Sequence, residues 1–370
     1  MIYKPKYPVF DAHVHILRRY YDLDGFLADC VRLYTETDVE GITSQCTSCY
    51  KDRAGQGVAQ ILVKLLNPGK VYINGGFAYN LAGLPFDRAG MLAQMQDMYD
   101  IGFDGLKMLE GKPTVRKETG IPLDSEIYDD AFDFCEEKGT HIVCHVADPW
   151  IFWDKEKCPP SAYTAGWAYL DDTYAGKEQL HKEVDNVLKR HPKLNITLAH
   201  FYFISYDLER LSDFMDRNPS VSLDVCPNPH LFYDMQKDLD KTRDFFIKYQ
   251  DRILFGTDNS VNDNITGDEV VSSANRRNAD IFRFLELSEV YTPAMWTQGP
   301  LSGIGLDGEP LKKIYKENYF RLKGPDRKID LGKAIEFSER RLFNFEKSNM
   351  GLDGPVNQMK EVIQRLKAMG

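Results

Sequence analysis

Asp11, His13 and His15 recur at every second position of a run whose other members, Phe10, Ala12, Val14 and Ile16, are apolar. Alternate side chains of a strand share a face, so this spacing predicts two imidazoles and a carboxylate together on one side of a buried element. Burying such groups is costly unless something binds them, and a divalent cation does so directly. The run reads as half of a metal site. Three further residues of ligand type close apolar runs elsewhere: His145 after 142–144, His200 after 196–199, and Asp258 after 253–257. If these runs are parallel staves, all three side chains end at the same rim as His15 and converge there despite their separation in sequence.

The elements that must position them follow from the hydropathy pattern. Short apolar runs are expected as strands at 9–13, 39–46, 70–78, 103–108, 141–146, 195–200, 220–226 and 252–256. Amphipathic runs at 24–37, 57–66, 88–101, 125–138, 177–190, 206–218 and 239–250 are expected as the helices between them. Helix-stop and turn residues, among them Gly102, Gly139, Pro192 and Pro219, separate the two kinds of run. Eight strands alternating with helices or long loops predict an α/β fold, a closed (β/α)8 TIM barrel, with a C-terminal helical extension. The expected division is 1–325 for the barrel and 326–370 for helices packed on it. Met359, Val362, Ile363 and Leu366 recur there at helical spacing, as a packing face does.

Composition narrows the setting. The chain has 370 residues, 43% hydrophobic and 28% charged, enough for a large core, and a formal net charge of −10. That charge argues against nucleic-acid or anionic-membrane partners. No apolar run approaches a membrane span or a signal peptide. The seven cysteines are odd in number and scattered, which suits free thiols in a cytoplasmic protein, and the Cys46/Cys49 pair has no second pair with which to form a zinc ribbon.

Two long connections leave the C-terminal rim. Residues 148–176 carry Trp150, Phe152, Trp153, Tyr163, Trp167, Tyr169 and Tyr174; residues 259–306 carry Arg276, Arg277, Tyr291 and Trp296. They serve either as lids over a pocket or as contacts of a homodimer. His230, just after the seventh strand, is in reach of a substrate, whereas His141 starts the fifth strand and is expected to be structural. His181 and His191 fall on a surface helix. Lys107 and Glu110 lie near the end of the fourth strand. A lysine there has three uses: a carbamylated bridge between two metals, an anchor for an anionic substrate, or a partner for Glu110.

Asp11-Ala12-His13-Val14-His15, His145, His200 and Gly256-Thr257-Asp258 together resemble the amidohydrolase superfamily, specifically its family 2 of metal-dependent TIM-barrel enzymes. Residues 251–258 and 317–322 are similar to that family's strand-eight and following-helix segments. The resemblance spans about 8–325. It implies that His13, His15, His145 and Asp258 bind the metal, and that His200 either binds it or hydrogen-bonds the metal's water. TatD-type nucleases and PHP phosphoesterases share the HxH element but fit the later segments less well.

The resemblance leaves the reaction open among hydrolysis, lactone opening, decarboxylation and hydration. The leading expectation is a metal-dependent hydrolase of a small carboxylated lactone, ester or amide, working through a metal-activated water. Asp258 and His200 are its catalytic residues, and Lys107, Glu110, Trp150, His230 and Arg276 (or Arg277) are candidate substrate contacts. The expected cofactor is one divalent ion, Zn2+ first, with Mn2+, Fe2+ or Co2+ also suited to a His/Asp set. The alternatives are a non-oxidative decarboxylase of an aromatic or unsaturated acid, and a metal-binding barrel without catalysis.

Overall fold

Runs such as Ile142-Val143-Cys144 carry apolar groups on both faces, the pattern of a parallel strand covered on one side by helices and on the other by the barrel interior. A computed structural model describes residues 3–17, 22–79, 81, 83–228, 230–295, 298–349 and 351–370. Trp296 lies outside the described residues. The strands are β1 (Asp11–Ile16), β2 (Ile42–Gln45), β3 (Val71–Gly75), β4 (Gly105–Gly111), β5 (His141–Val146), β6 (Ile196–Leu198), β7 (Val221–Asp224), β8 (Ile253–Leu254) and β9 (Asn259–Val261). Each of the first eight pairs in parallel with its sequence neighbour.

The ring closes through a divided last stave. β8 pairs with β7, whereas β9 pairs with β1 through Val14 and Asn259, His15 and Ser260, and Ile16 and Val261. Between the two halves the chain still bonds to β1: the Ala12 N–H donates to the Phe255 carbonyl at 3.0 Å and the Asp258 N–H to the His13 carbonyl at 2.8 Å. Gly256 sits in this break because a Cβ there would lie 2.9 Å from the Cβ of His13.

The pairing of β1 with β2 shifts register between Asp11 and Val14. Phe10 and Ala12 consequently cluster with Tyr72, Leu254 and Tyr319 at the barrel floor, while Val14 and Ile16 join the core beneath the helices. Asp11 is separated from the histidines by the same irregularity.

The longer helices that follow the strands are α1 (Leu23–Thr35), α2 (Gln56–Leu66), α3 (Arg88–Ile101), α4 (Asp129–Lys138), α5 (Lys177–Arg190), α6 (Leu208–Arg217), α7 (Leu239–Lys248) and α8 (Asp268–Glu286). Several begin at an aspartate that accepts a first-turn N–H, as Asp87, Asp207 and Asp238 do. α3 ends at Gly102, whose φ of 106° suits only glycine. The long connection after the eighth strand, 259–306, contains the 19-residue helix α8. His181 and His191, expected on a surface helix, are both buried. Two further helices, α9 (Leu331–Lys347) and α10 (Asp353–Ala368), pack against each other and against α2 and α3. Met359, Val362 and Leu366 enter the main core. All seven cysteines are free thiols. Among the described residues no helix is long and apolar enough to cross a membrane.

His141 opens β5 in the barrel interior, 2.8 Å from the Thr197 hydroxyl, and burial lowers its pKa from 6.5 to about 4. The native state therefore resists a proton that the unfolded chain accepts below about pH 6.5, so its contribution to stability is full above that pH and is lost as pH falls towards 4. Between pH 7 and pH 5 the wild type should lose about 2 kcal/mol more than His141→Gln in urea unfolding. Identical pH slopes for the two proteins would contradict this.

Candidate metal centre

The mouth of the barrel is built from the ends of its strands. His13 and His15 project from β1, His200 follows β6, and Asp258 occupies the turn between β8 and β9. Their ring orientations are set from behind. His13 Nδ1 lies 2.8 Å from Asp224 Oδ2, His15 Nδ1 lies 3.0 Å from the Gln45 carbonyl oxygen, and His200 Nδ1 lies 3.2 Å from that of Cys226. Each of these partners is an acceptor, so each Nδ1 carries the hydrogen and each Nε2 presents a lone pair.

Those lone pairs converge. His13 Nε2 and His15 Nε2 are 3.3 Å apart, and His15 Nε2 is 3.2 Å from Asp258 Oδ1. Donors bound to one tetrahedral zinc at 2.0–2.1 Å are about 3.3 Å from each other. The donor set and its spacing therefore fit a divalent ion. His200 stands beside them, with ring centroids 5.4 Å from His13 and 4.9 Å from His145. Burial, with Lys107 and His15 nearby, holds the His13 imidazole well below its ordinary pKa.

Two of these groups sit on left-handed backbone. His200, Phe201, Tyr202 and Phe203 have φ between 52° and 57°, and Asp258 has φ 59°. Such a conformation costs about 1–2 kcal/mol per residue. The His200 turn is held by the His200 N–H donating to Asp224 Oδ1 at 2.7 Å and by buried Lys177 donating to the Phe203 carbonyl at 2.6 Å.

Asp11 does not join the imidazoles. Its carboxylate accepts from the His13 and Thr257 N–H groups, each at 3.1 Å, and from the Thr257 hydroxyl at 2.5 Å, stapling β1 to the divided stave. His145 turns its Nε2 to Asp148 Oδ1 at 3.3 Å and Lys112 Nζ at 3.4 Å. It shares the rim, but the structure does not bring that nitrogen into the group formed by His13, His15 and Asp258. Burial and the Lys112 charge lower the His145 pKa to about 4. Lys107 is buried with Nζ 3.1 Å from His13 Nε2, so its ammonium and a metal ion compete for one lone pair.

The surrounding pocket has a volume of about 620 Å³. Arg53, Lys112 and Arg277 supply cationic groups to its wall, and Phe152, Trp167 and Phe203 supply aromatic faces. Arg277, not Arg276, faces this space. Arg276 is engaged outside by Glu269 at 2.7 Å and Ser272 at 2.6 Å, whereas Arg277 donates to the carbonyl oxygens of Thr257 and Asp258. Glu110 points away from the pocket and accepts from the Tyr79 hydroxyl at 2.7 Å. The structure pairs it with that tyrosine and not with Lys107. Trp150 and His230 line a side recess that shares Pro149, Phe203 and Asn228 with the main pocket.

Several residues of the site escape a reading of the sequence. Asp224 ends β7 at the same rim and could have been found by the rule that located His145 and His200. Cys226, whose thiol lies within 4.8 Å of ligand nitrogens of His13 and His200, was one of seven scattered cysteines with no motif to single it out. Lys112 and Asp148 form a buried pair at 2.8 Å beyond the ends of β4 and β5, joined by the Tyr169 hydroxyl at 2.5 Å. Burial pushes the Asp148 carboxyl up, but Lys112 and His145 pull it well below the usual range.

No curated protein matches this sequence significantly. Similar folds occur among solved structures. An uncharacterised TIM-barrel protein from Bordetella bronchiseptica is 16% identical, with TM-score 0.50 over 89% of this chain and 99% of its own. A 2,6-dihydroxybenzoate decarboxylase from Rhizobium is 14% identical, with TM-score 0.52 over 85% and 98%. A 4-oxalomesaconate hydratase from Rhodopseudomonas palustris is 10% identical, with TM-score 0.51 over 91% and 99%. At such identities the likeness is one of fold, the TIM barrel. Residues 11–276 match the sequence profile of the amidohydrolase family (Amidohydro_2). With most of its length inside that match, the chain belongs to the amidohydrolase family.

Proposed function

We propose that this protein is a metal-dependent hydrolase of a small, planar, carboxylated substrate bound at the barrel mouth. The observation that carries this reading is the convergence of His13 Nε2, His15 Nε2 and Asp258 Oδ1, with each imidazole fixed from behind by an acceptor. His13, His15 and Asp258 would hold the ion, and His200 would face it from the next stave. A divalent ion bound there supplies a Lewis acid and brings the ionisation of water into the neutral range. The Asp258 side chain is 33% exposed, so water reaches it; its Oδ2 would take a proton from the attacking water and pass it to the leaving group. His200 Nε2, a lone-pair acceptor, orients that water.

The substrate class follows from the pocket wall. Arg53, Lys112 and Arg277 line the pocket. Cationic donors lining one pocket suit a carboxylate. Phe152, Trp167 and Phe203 suit a flat ligand body. These same aromatic faces support a second reading, decarboxylation of an aromatic or unsaturated acid, in which a proton drawn from water through Asp258 would replace the departing CO2 at carbon.

Asp258→Asn, assayed at saturating zinc, should lower kcat by about 10²-fold or more while the fold and Tm are retained. Wild-type turnover in that variant would overturn the assignment. Arg53→Met should raise KM for a carboxylated substrate about tenfold or more, the weight of one charged hydrogen bond, and leave the KM of its methyl ester unchanged. Screening lactones, esters, amides and carboxylated aromatics, with mass analysis of products, separates the two reactions: a gain of water supports hydrolysis, and release of CO2 replaces it with the second reading.

A further inference from the structure

We infer that the chain carries a second cation site, outside the barrel, formed by His191, Asp133 and Glu136 and suited to zinc or another first-row transition ion. Asp133 and Glu136 lie one turn apart on α4, so both carboxylates rise from one face of that helix. His191 follows the last residue of α5. One ligand atom from each of the three lies within 4.8 Å of the other two.

The decisive feature is the imidazole. His191 is 4% exposed and packs against Phe132 with ring centroids 5.4 Å apart. Its Nε2 lies 3.1 Å from Asp129 Oδ1, an oxygen also bonded by Arg190 Nε at 3.2 Å and Nη2 at 3.0 Å. A carboxylate held in this way accepts, so Nε2 carries the hydrogen and the Nδ1 lone pair turns towards Asp133 and Glu136. That is the carboxylate–histidine–metal arrangement, in which an outer acid fixes the tautomer of an inner ligand. Nδ1 is buried and makes no hydrogen bond, although Asp133 Oδ1 is only 3.0 Å away. A cation bound to both atoms would satisfy each of them. The spacing is close to the ~3.3 Å between two donors on tetrahedral zinc. Glu136 spends one oxygen on the Lys193 N–H, at 2.6 Å, and has a second oxygen for a ligand.

One imidazole with two carboxylates favours a transition ion over magnesium or calcium, which prefer oxygen alone. The site would clamp α4 to the turn after α5, a brace on the barrel flank that touches no residue of the mouth. The inference does not depend on the proposed reaction.

The test is zinc binding by the full chain after chelator treatment, read by calorimetry and by metal content after dialysis. His191→Asn and Asp133→Asn should each bind one equivalent less than wild type, with turnover unchanged and a smaller rise in Tm on adding zinc. Asp258→Asn should retain the equivalent that these variants lose. Equal zinc content in wild type, His191→Asn and Asp133→Asn would overturn the inference and leave His191 as an imidazolium between Asp129 and Asp133. Should His191→Asn fail to fold, Asp133→Asn decides the matter, because its side chain is 64% exposed.

Discussion

One buried carboxylate, that of Asp224, holds the centre together. Its Oδ2 receives His13 Nδ1 at 2.8 Å, and its Oδ1 receives the N–H groups of His200 at 2.7 Å and Cys226 at 3.1 Å. The first contact determines which nitrogen of His13 presents a lone pair. The others help hold the chain after β6 in a left-handed turn and the chain after β7 close to it. Ionised carboxylates are costly inside a protein, and burial raises the Asp224 pKa accordingly. Its compensation is a full set of donors, so removing any one of them exposes the others to that penalty.

The divided eighth stave serves the same end. A continuous strand would carry the chain straight past the rim. The break at 255–258 instead turns Asp258 inward on left-handed backbone while β9 resumes the pairing with β1. Asp11 staples the break through Thr257, and Arg277 of α8 binds the carbonyl oxygens of Thr257 and Asp258. Strained backbone persists where surrounding contacts over-determine it, and here those contacts come from β1, the break itself and α8.

Charge at the mouth opposes that of the whole. The chain has a net charge of −10, yet Arg53, Lys112 and Arg277 line the pocket. The long connection after β5 contributes to this wall through Phe152 and Trp167, and to its support through Tyr169, which braces Asp148.

The alternation of apolar runs with amphipathic ones was sufficient for the barrel, because a parallel stave and its covering helix each leave a local periodic mark. The rim positions of His13, His15, His200 and Asp258 were legible for the same reason: each closes or extends an apolar run. Orientation was not legible. The register shift in β1 parts Asp11 from the imidazoles, and the Lys112–Asp148 pair draws the nitrogen of His145 aside. A helix twist of one residue places Arg277 at the pocket and Arg276 in solvent. These outcomes depend on hydrogen bonds between residues 19 to 246 positions apart, which no local pattern encodes. Sequence thus determined which elements exist and which residues reach the rim; tertiary packing decided where each polar atom points, and coordination chemistry depends on that direction.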